Sequence, residues 1–406
     1  MPENTALQPS ALAGLRVADF SHFIAGPMCT LSLADMGADV IKIENTAAGD
    51  DFRRFPPMVE GQSSPFLWAN RNKRGIALDL KNPDAIRVAR DLIASADILV
   101  ENFTTGVMER FGLGYAEMAA LNPRLIYCSV SAYGRSGPFA DRAGFDPMIQ
   151  AETGFMSLNG FPDGPPMRTG PAVMDISTGL MATIAVMGAL AARQTTGRGQ
   201  HVEVCLFDVA TLMLGFHAMN YLVTGKNPTR FGNNSADSAP TGVYQAADGP
   251  LYLACANDRT YQRLVSTVLG RTDLVDDPDF VTNADRAHNR DKLAAILNQE
   301  LGAKTREQWM PAMKEAGVPA GVVRTIEEAF QSPEMAARGL VSHIPHTTAG
   351  QIPNIGSALH LGETPVVPPR AAPVLGEHTR EVLADVLGYS ADSIAALTAS
   401  GAVRQA

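Results

Sequence analysis

Short runs rich in β-branched residues alternate with longer stretches of helical periodicity along the first half of the chain. The predicted strands cover residues 15–20, 38–44, 96–103 and 124–133, and the predicted helices cover 26–36, 83–94 and 105–111. Proline at position 83 suits the first turn of a helix, because the missing N–H has no intrahelical partner there. Strands that alternate with crossover helices indicate an α/β protein with a doubly wound, mostly parallel sheet.

The middle of the chain becomes more apolar and then abruptly polar. Residues 180–192 predict a buried core helix, since this apolar run is shorter than the roughly 20 residues that span a membrane. A strand at 201–207 follows, and 209–223 predicts one long amphipathic helix. The polar, glycine-rich stretch 225–240 marks a domain boundary. Beyond it, a hairpin pattern with Asp-Gly at 248–249 and several helices predict a smaller α+β domain.

The composition of the chain limits which partners and metal sites we expect. Of the 406 residues, 18% are charged and the net charge is -9, so the chain lacks the basic excess that nucleic-acid binding requires. The first residues lack the pattern of a signal peptide, and we expect a cytoplasmic protein with no membrane partner. The four cysteines have no metal-ligand spacing, so we expect reduced, buried thiols and no metal site.

Several catalytic motifs are absent from the sequence. There is no G-x-x-x-x-G-K-[ST] loop, and the glycines at 112 and 114 lack the third glycine of a dinucleotide-binding loop. The G-x-S-x-G and H-E-x-x-H patterns are missing too. We therefore expect no permanently bound cofactor, and neither serine-hydrolase nor zinc-protease chemistry.

Asp175 stands out in the segment 144–204. It follows the apolar run 171–174 and precedes Ile-Ser-Thr-Gly, which predicts the start of a helix. An aspartate in this place is most often an N-cap, and its carboxylate would accept the free amides of the first turn. From the pattern alone, capping is the more frequent role, and a catalytic role is the alternative.

Ordered motifs over nearly the whole chain resemble the family III coenzyme A transferases, which include formyl-CoA transferase, carnitine CoA-transferase and alpha-methylacyl-CoA racemase. The motifs that carry the resemblance are LAGLRVADFSHFIAGPMCTLSLADMGADVIKIE, NKRGIALDLK, DILVENFTTGVMERFGLGY and PVLGEHTREVL. The resemblance implies that Asp175 attacks an acyl-CoA thioester, giving a mixed anhydride and then an aspartyl-CoA thioester. An aspartate is expected to be ionised at pH 7 without a base, and Gly170 and Gly179 would leave room for the thioester.

The resemblance also implies a set of residues that contact coenzyme A, which enters as a substrate in acyl-CoA rather than as a resident cofactor. They are Ile24, Ala25, Leu78, Lys81, Asn102, Phe103, Arg110, Phe145 and Asp146. By residue type alone, Ile24, Leu78 and Phe103 would equally suit a hydrophobic core, and Lys81 and Arg110 a solvated surface.

Three departures from the related families narrow the activity. Phe145 stands where the racemases carry a histidine, and a phenylalanine can neither remove nor return a proton, so racemisation is the disfavoured alternative. Asn45 stands where formyl-CoA transferase has an arginine that contacts the nucleotide, and Arg53, Arg54 or Arg142 would have to compensate. The stretch 232–242 lacks the glycine-rich loop of formyl-CoA transferase.

These departures favour a CoA-transferase that acts on a small carboxylic acid other than formate or oxalate. A third alternative is a CoA-binding protein without turnover, in which Asp175 only caps a helix. Arg168, in PMRTG, is a candidate partner for a substrate carboxylate, and a surface charge is an equally good interpretation.

The resemblance finally implies the domain arrangement and the oligomer. We expect a Rossmann-like large domain built from both chain ends, a small α+β domain and an interlocked homodimer. The expected parts are 1–208 for the first part of the large domain, 209–224 for a linker helix, 225–322 for the small domain and 323–406 for the return.

Overall fold

The computed structural model describes residues 10–406. The chain forms two compact units. The large unit contains the chain up to Phe155 together with Arg168–Thr224 and Glu334–Ala406, and the small unit contains Met156–Met167 and Gly225–Pro333. The division into domains that the sequence suggested stays a prediction.

Strands and helices are numbered separately in chain order. The strands are β1 (Arg16–Asp19), β2 (Asp39–Glu44), β3 (Met58–Val59), β4 (Gln62–Ser63), β5 (Arg74–Leu78), β6 (Ile98–Glu101), β7 (Ile126–Ser131), β8 (His201–Cys205), β9 (Thr241–Ala246), β10 (Gly249–Ala254), β11 (Ala320–Val322), β12 (Val341–His346), β13 (Gly350–Ile355) and β14 (Val403–Arg404). The helices are α1 (Ala25–Asp35), α2 (Ser64–Asn70), α3 (Pro83–Ala94), α4 (Val107–Arg110), α5 (Tyr115–Leu121), α6 (Asp146–Glu152), α7 (Phe155–Leu158), α8 (Val173–Thr196), α9 (Leu206–Met213), α10 (Phe216–Thr224), α11 (Asp258–Gln262), α12 (Asn283–His288), α13 (Arg290–Leu301), α14 (Arg306–Glu315), α15 (Ile326–Phe330), α16 (Pro333–Arg338), α17 (Thr379–Glu381) and α18 (Ala391–Ala399). Irregular helical turns follow α11 at Arg263–Val268 and α17 at Val382–Val386.

A seven-stranded sheet forms the centre of the large unit, in the order β14, β5, β2, β1, β6, β7, β8. All neighbours are parallel except β14 and β5, which pair antiparallel. The strand order reverses between β1 and β6, and in such sheets ligands bind beyond the carboxyl ends of the strands at this point. The predicted α/β class with a mostly parallel sheet is confirmed.

Each central strand sends alternate side chains into two different cores, as the pleat requires. In β1, Val17 belongs to the core that α1 and α8 cover, whereas Ala18 belongs to the core that α3 covers. In β6, Leu99 lies in the same core as Ala18, and Val100 lies in the same core as Val17. Both faces are therefore apolar, which explains why the sequences of these strands are nearly continuous hydrophobic runs.

The structure corrects three expectations about the elements. β5 was not among the predicted strands, although it pairs with β2 inside the sheet. The predicted single helix over 209–223 is two helices, α9 and α10, bent by 77° at a break where Gly215 has φ 56°. The predicted helix over 180–192 is longer, since α8 has 24 residues, and by length and composition it could cross a membrane. Its outer face is exposed, with Ile184 at 62%.

The small unit has its own sheet and core. β9 and β10 form the predicted hairpin, whose turn lies at Ala247 and Asp248, and β11 pairs with β10. Buried side chains from α11, α13 and α14 cover the sheet, and the Trp309 indole donates to the Leu301 carbonyl at 2.8 Å.

Candidate active site

A cavity of about 650 Å³ lies at the point where the order of the large sheet reverses. Its walls come from the loops that follow β1, β6 and β7, from the start of α6 and from the start of α8. The volume is in the range of small-molecule and cofactor sites. All the residues that line it belong to the large unit.

Asp175 lies in the first turn of α8 and lines this cavity. The N-cap position belongs to Ala172, and no side chain of that residue caps the helix. Instead Asp146, which is 2% exposed, accepts the Met174 amide at 2.6 Å and the Asp175 amide at 3.4 Å. These are the amides that a capping side chain normally takes. The interpretation of Asp175 as an N-cap is therefore wrong, because Asp146 caps the helix from α6.

The carboxylate of Asp175 accepts no hydrogen bond and forms no ion pair within the part of the chain that the structure describes. Burial in the cavity wall, together with the negative charge of Asp146, raises the pKa of Asp175 to about 7. A pKa raised this far means that Asp175 is less completely ionised at pH 7 than an ordinary aspartate. The ionised form is a poorly solvated and unpaired carboxylate, which suits a nucleophile.

A buried glutamine joins Asp146 to the segment that leads into α8. Gln150 donates from Nε2 to Asp146 Oδ1 at 2.6 Å and to Thr169 Oγ1 at 3.1 Å. Its Oε1 accepts the Thr169 amide at 3.0 Å. The carboxamide of Gln150 is fully buried, so the backbone at Thr169 and the start of α8 are both fixed to α6.

The loop after β1 forms another part of the cavity wall. The side chain of Asn102 forms a reciprocal pair with the backbone of His22, accepting its N–H at 2.8 Å and donating to its carbonyl at 2.9 Å. Asp50 accepts the amide of Phe23, which has φ 60°, and Lys42 donates to the Ser21 carbonyl at 2.7 Å. The carboxamide of Asn102 thus holds the loop, and both of its polar ends are already occupied.

Buried charges lie beneath this loop. Lys42 pairs with Asp50 and Lys73 pairs with Asp19, each at 3.0 Å and with no exposed side-chain surface. Burial alone would raise the pKa of Asp50, but the charge of Lys42 together with contacts from His22 and the Phe52 amide outweighs it and holds that pKa below its ordinary value. Burial lowers the pKa of Lys73 to about 8. Such pairs are costly to break, because a lone buried charge would remain.

Aromatic side chains make one side of the cavity apolar. Phe145 is 57% exposed and meets Phe23 edge to face at 6.0 Å between ring centroids. Phe23 packs in the same way on Phe55 at 5.8 Å. An acyl chain or a pantetheine arm could lie along these rings, and an apolar wall strengthens electrostatic interactions inside the cavity.

The two glycines near Asp175 have different surroundings. Gly170 lines the cavity, and a Cβ built on it would meet nothing within 4 Å. A Cβ on Gly179 would lie 2.6 Å from the Ala25 carbonyl oxygen. Gly170 therefore leaves open space in the cavity, whereas Gly179 lets α8 approach the start of α1.

The structure brings six of the predicted CoA-contacting residues to the cavity that Asp175 lines: Ile24, Ala25, Asn102, Phe103, Phe145 and Asp146. Leu78 lies fully buried in the core under α3. Lys81 and Arg110 are exposed and lie outside the cavity lining. Contacts between these nine residues and coenzyme A stay predictions.

Asn45 has a structural role of its own. Its side chain accepts the amides of Ala47 and Ala48 and donates to the Gly49 carbonyl at 2.6 Å, so it shapes the turn after β2. Three arginines were considered as substitutes for the nucleotide-contacting arginine that Asn45 replaces. Two of them already have close acidic partners. Arg53 forms a bidentate pair with Glu44, with both bonds at 2.7 Å, and Arg142 forms one with Glu152 at 3.0 and 2.5 Å. Arg54 is 64% exposed and pairs with Asp51 at 3.5 Å.

Sequence reasoning missed several residues that shape the site, namely Lys42, Asp50 and Gln150, and it left Lys73 open between a phosphate contact and a helix-end charge. Gln150 carried a usable signal, since it lies four residues after Asp146 in a helix-forming segment and the two side chains share one face. The local pattern around Asp50 indicates only that it caps the Phe52 amide, whereas its contacts with Phe23 and Lys42 depend on the fold.

Comparisons with known proteins agree with this geometry. The model of CoA-transferase family III matches residues 12–379. The chain is 39% identical over 382 residues to succinate--glutarate CoA-transferase from Agrobacterium fabrum, covering 92% of this chain and 95% of that one. It is 40% identical over 343 residues to acetyl-CoA:oxalate CoA-transferase from Acetobacter aceti, covering 84% and 88%. The structure resembles that of a CAIB/BAIF family protein from Brucella suis, with a TM-score of 0.85, 37% identity and coverage of 93% and 100%. The chain is an enzyme that belongs to CoA-transferase family III.

Proposed function

We propose that this CoA-transferase uses Asp175 as its nucleophile and moves CoA from a dicarboxylic acyl-CoA, such as succinyl-CoA, to a second small carboxylic acid. One observation carries the proposal: Asp175 presents an unpaired carboxylate to the cavity while Asp146 takes the amides of its helix. The substrate class is supported by relatives that are named for succinate, glutarate and oxalate. The cytoplasmic location and the interlocked homodimer stay predictions.

The reaction begins when the ionised carboxylate of Asp175 attacks the thioester carbon of the donor. The C–S bond breaks, the CoA thiolate leaves, and a mixed anhydride remains on Asp175. The thiolate then attacks the aspartyl carbonyl of this anhydride, and the donor acid leaves as a carboxylate. Asp175 now carries CoA as a thioester. Splitting the transfer in this way replaces one difficult step by easier ones.

The second half reverses these steps with the acceptor. The acceptor carboxylate attacks the aspartyl-CoA thioester, the thiolate leaves, and a second anhydride forms. The thiolate attacks the acceptor carbonyl, which releases the new acyl-CoA and restores the Asp175 carboxylate. No net proton and no electron is exchanged. One acceptor oxygen, the one that bridged the anhydride, stays on Asp175.

The site suits these steps in two ways. The aromatic wall around Phe23 and Phe145 limits water near the anhydride, which would otherwise be hydrolysed. Open space beside Gly170 leaves room for the acyl groups on either side of Asp175. Racemisation gains no support from this geometry, because Phe145 lines the cavity where a second acid or base would be needed.

Oxygen transfer provides the test. Enzyme taken through a single turnover with acyl-CoA and an ¹⁸O-labelled acceptor acid should be digested, and the peptide that contains Asp175 should gain one ¹⁸O atom. Asp175→Asn should abolish both labelling and CoA exchange. Asp141→Asn, an exposed aspartate outside the cavity lining, is the matched control and should label at Asp175 as the wild type does. Full exchange by the Asp175→Asn variant would refute the mechanism.

A further inference from the structure

The basic side chains that line the cavity differ in whether they already have an acidic partner. They are His22, Arg142 and Arg168. Arg142 is neutralised by the bidentate pair with Glu152 and also lies over the Tyr133 ring at 4.7 Å. Arg168 is exposed to the cavity, and within residues 10–406 it has no hydrogen-bond or ion-pair partner. Arg168 therefore presents an unused guanidinium to an otherwise largely apolar space.

The backbone that carries Arg168 is fixed, although its side chain is free. The next residue, Thr169, is bonded to Gln150 through both its amide and its hydroxyl group. Thr169 also donates from Oγ1 to the Pro171 carbonyl at 3.1 Å. Since Gln150 is bonded to Asp146, which caps α8, Arg168 and Asp175 are attached to the same buried hydrogen-bonded group. The backbone on both sides of the cavity wall is thus linked through Gln150 and Asp146.

No ion pair joins Arg168 to Asp175 in the described structure, although both side chains line one cavity. The nucleophile and the free cation therefore occupy different places in it. A ligand that reacts at Asp175 and also carries an anionic group at its other end could contact both. A dicarboxylic acyl group has this form, because one carboxyl is the thioester and the other stays ionised.

We propose that Arg168 binds the distal carboxylate of a dicarboxylic substrate and thereby selects dicarboxylic over monocarboxylic acids. The proposal rests on the function proposed above and identifies the residue that sets its substrate class. A guanidinium binds a carboxylate through two parallel N–H bonds, which a lysine cannot reproduce. Arg168 would hold the distal carboxylate during every acyl-transfer step. This contact would therefore fix the orientation of the reacting carbonyl and also raise the affinity for the substrate.

Succinate and butyrate form a suitable pair of acceptors, since butyrate has a methyl group in place of the second carboxylate. The quantity to measure is the ratio of kcat/KM for succinate to kcat/KM for butyrate. Wild-type enzyme should prefer succinate. Arg168→Gln should lower this ratio by about 10- to 100-fold, the range of one charge-assisted interaction, mainly through a higher KM for succinate. Arg168→Lys should retain part of the preference, because it keeps the charge but loses the fork.

Arg198→Gln is the control, since Arg198 is exposed and lies outside the cavity lining. Its succinate-to-butyrate ratio should equal that of the wild type. Equal losses for both acids in Arg168→Gln would overturn the proposal, because they would indicate a general disturbance of the site. A wild-type enzyme that prefers butyrate would overturn it too. CoA exchange by Asp175→Asn would refute the proposed nucleophile. The succinate-to-butyrate ratio of Arg168→Gln would still test the role of Arg168, so the two failures are distinguishable.

Discussion

Replacing Asp175 by asparagine should stabilise the large unit above neutral pH, even though it removes the nucleophile. Asparagine keeps the size and shape of the side chain, and Asp175 has no hydrogen bond through its carboxylate to lose in the described structure. What changes is the cost of placing a negative charge in the cavity wall next to Asp146. Stability gained by removing a catalytic group indicates that the native site holds that group in an unfavourable state.

The magnitude follows from the shift in pKa. Folding raises the pKa of Asp175 from 3.8 to about 7, and each pH unit is worth about 1.4 kcal/mol. The folded protein holds more protons than the unfolded chain between these values, so its stability falls as pH rises from about 4 to about 7. The full effect would be about 4 kcal/mol, and solvent screening of the partly exposed Asp175 side chain reduces it. Between about pH 5 and pH 8 the advantage of asparagine should grow by about 2 kcal/mol.

Urea unfolding monitored by tryptophan fluorescence can measure this difference. The chain has two tryptophans, Trp68 in the large unit and Trp309 in the small one, so a Trp309→Phe background isolates the signal of the large unit. The free energy of unfolding of Asp175→Asn and of its parent should be compared at both pH values in that background. A gap of the same size at pH 5 and pH 8 would refute the argument, because the effect would then not come from ionisation.

The other predictions concern the pH profile, the buried ion pairs and the helix contact. kcat/KM should rise with pH and level off above about pH 7, since only ionised Asp175 attacks, and a steady-state pH profile that is flat from pH 5 to 9 would contradict this. Lys42→Met should cost about 3–5 kcal/mol in urea unfolding, because it removes the lysine that pairs with the buried Asp50, and adding Asp50→Asn should recover part of that loss. Gly179→Ala should destabilise the protein by about 1–3 kcal/mol, because the added Cβ would lie 2.6 Å from the Ala25 carbonyl oxygen. An unchanged midpoint of thermal unfolding would show that this contact relaxes without cost.

The sequence predicts β1, β2, β6 and β7 of the central sheet well because these strands are buried on both faces. Around Val17 and Val100, apolar residues do not alternate with polar ones. Each strand is therefore visible in the sequence as an apolar block between helical segments. β5 was missed because it begins with Arg74 and Gly75, which are rare in central strands. Arg74 is tolerated there since it forms hydrogen bonds to Asp39 and Glu381. The break at Gly215 was hidden by apolar residues on both sides of it.

The candidate site shows a different limit of sequence reasoning. The pattern around Asp175 correctly located the start of a helix, but it assigned the cap to the wrong carboxylate. The true capping group, Asp146, is 29 residues earlier in the chain, and only the fold brings it to α8. Local rules of helix capping assume that the cap is the residue next to the helix. They cannot identify an acceptor from a different element.

This exchange of roles between two aspartates explains how the site keeps a reactive carboxylate. If Asp175 accepted the helix amides, hydrogen bonds to its charged form would lower its pKa and its nucleophilicity. Because Asp146 takes those bonds, Asp175 is left without stabilising partners and feels a second negative charge nearby. The cost in stability predicted for the native aspartate and the reactivity proposed for it thus have one physical origin. A variant that gives Asp175 a hydrogen-bond donor should therefore gain stability above pH 7 and lose rate together.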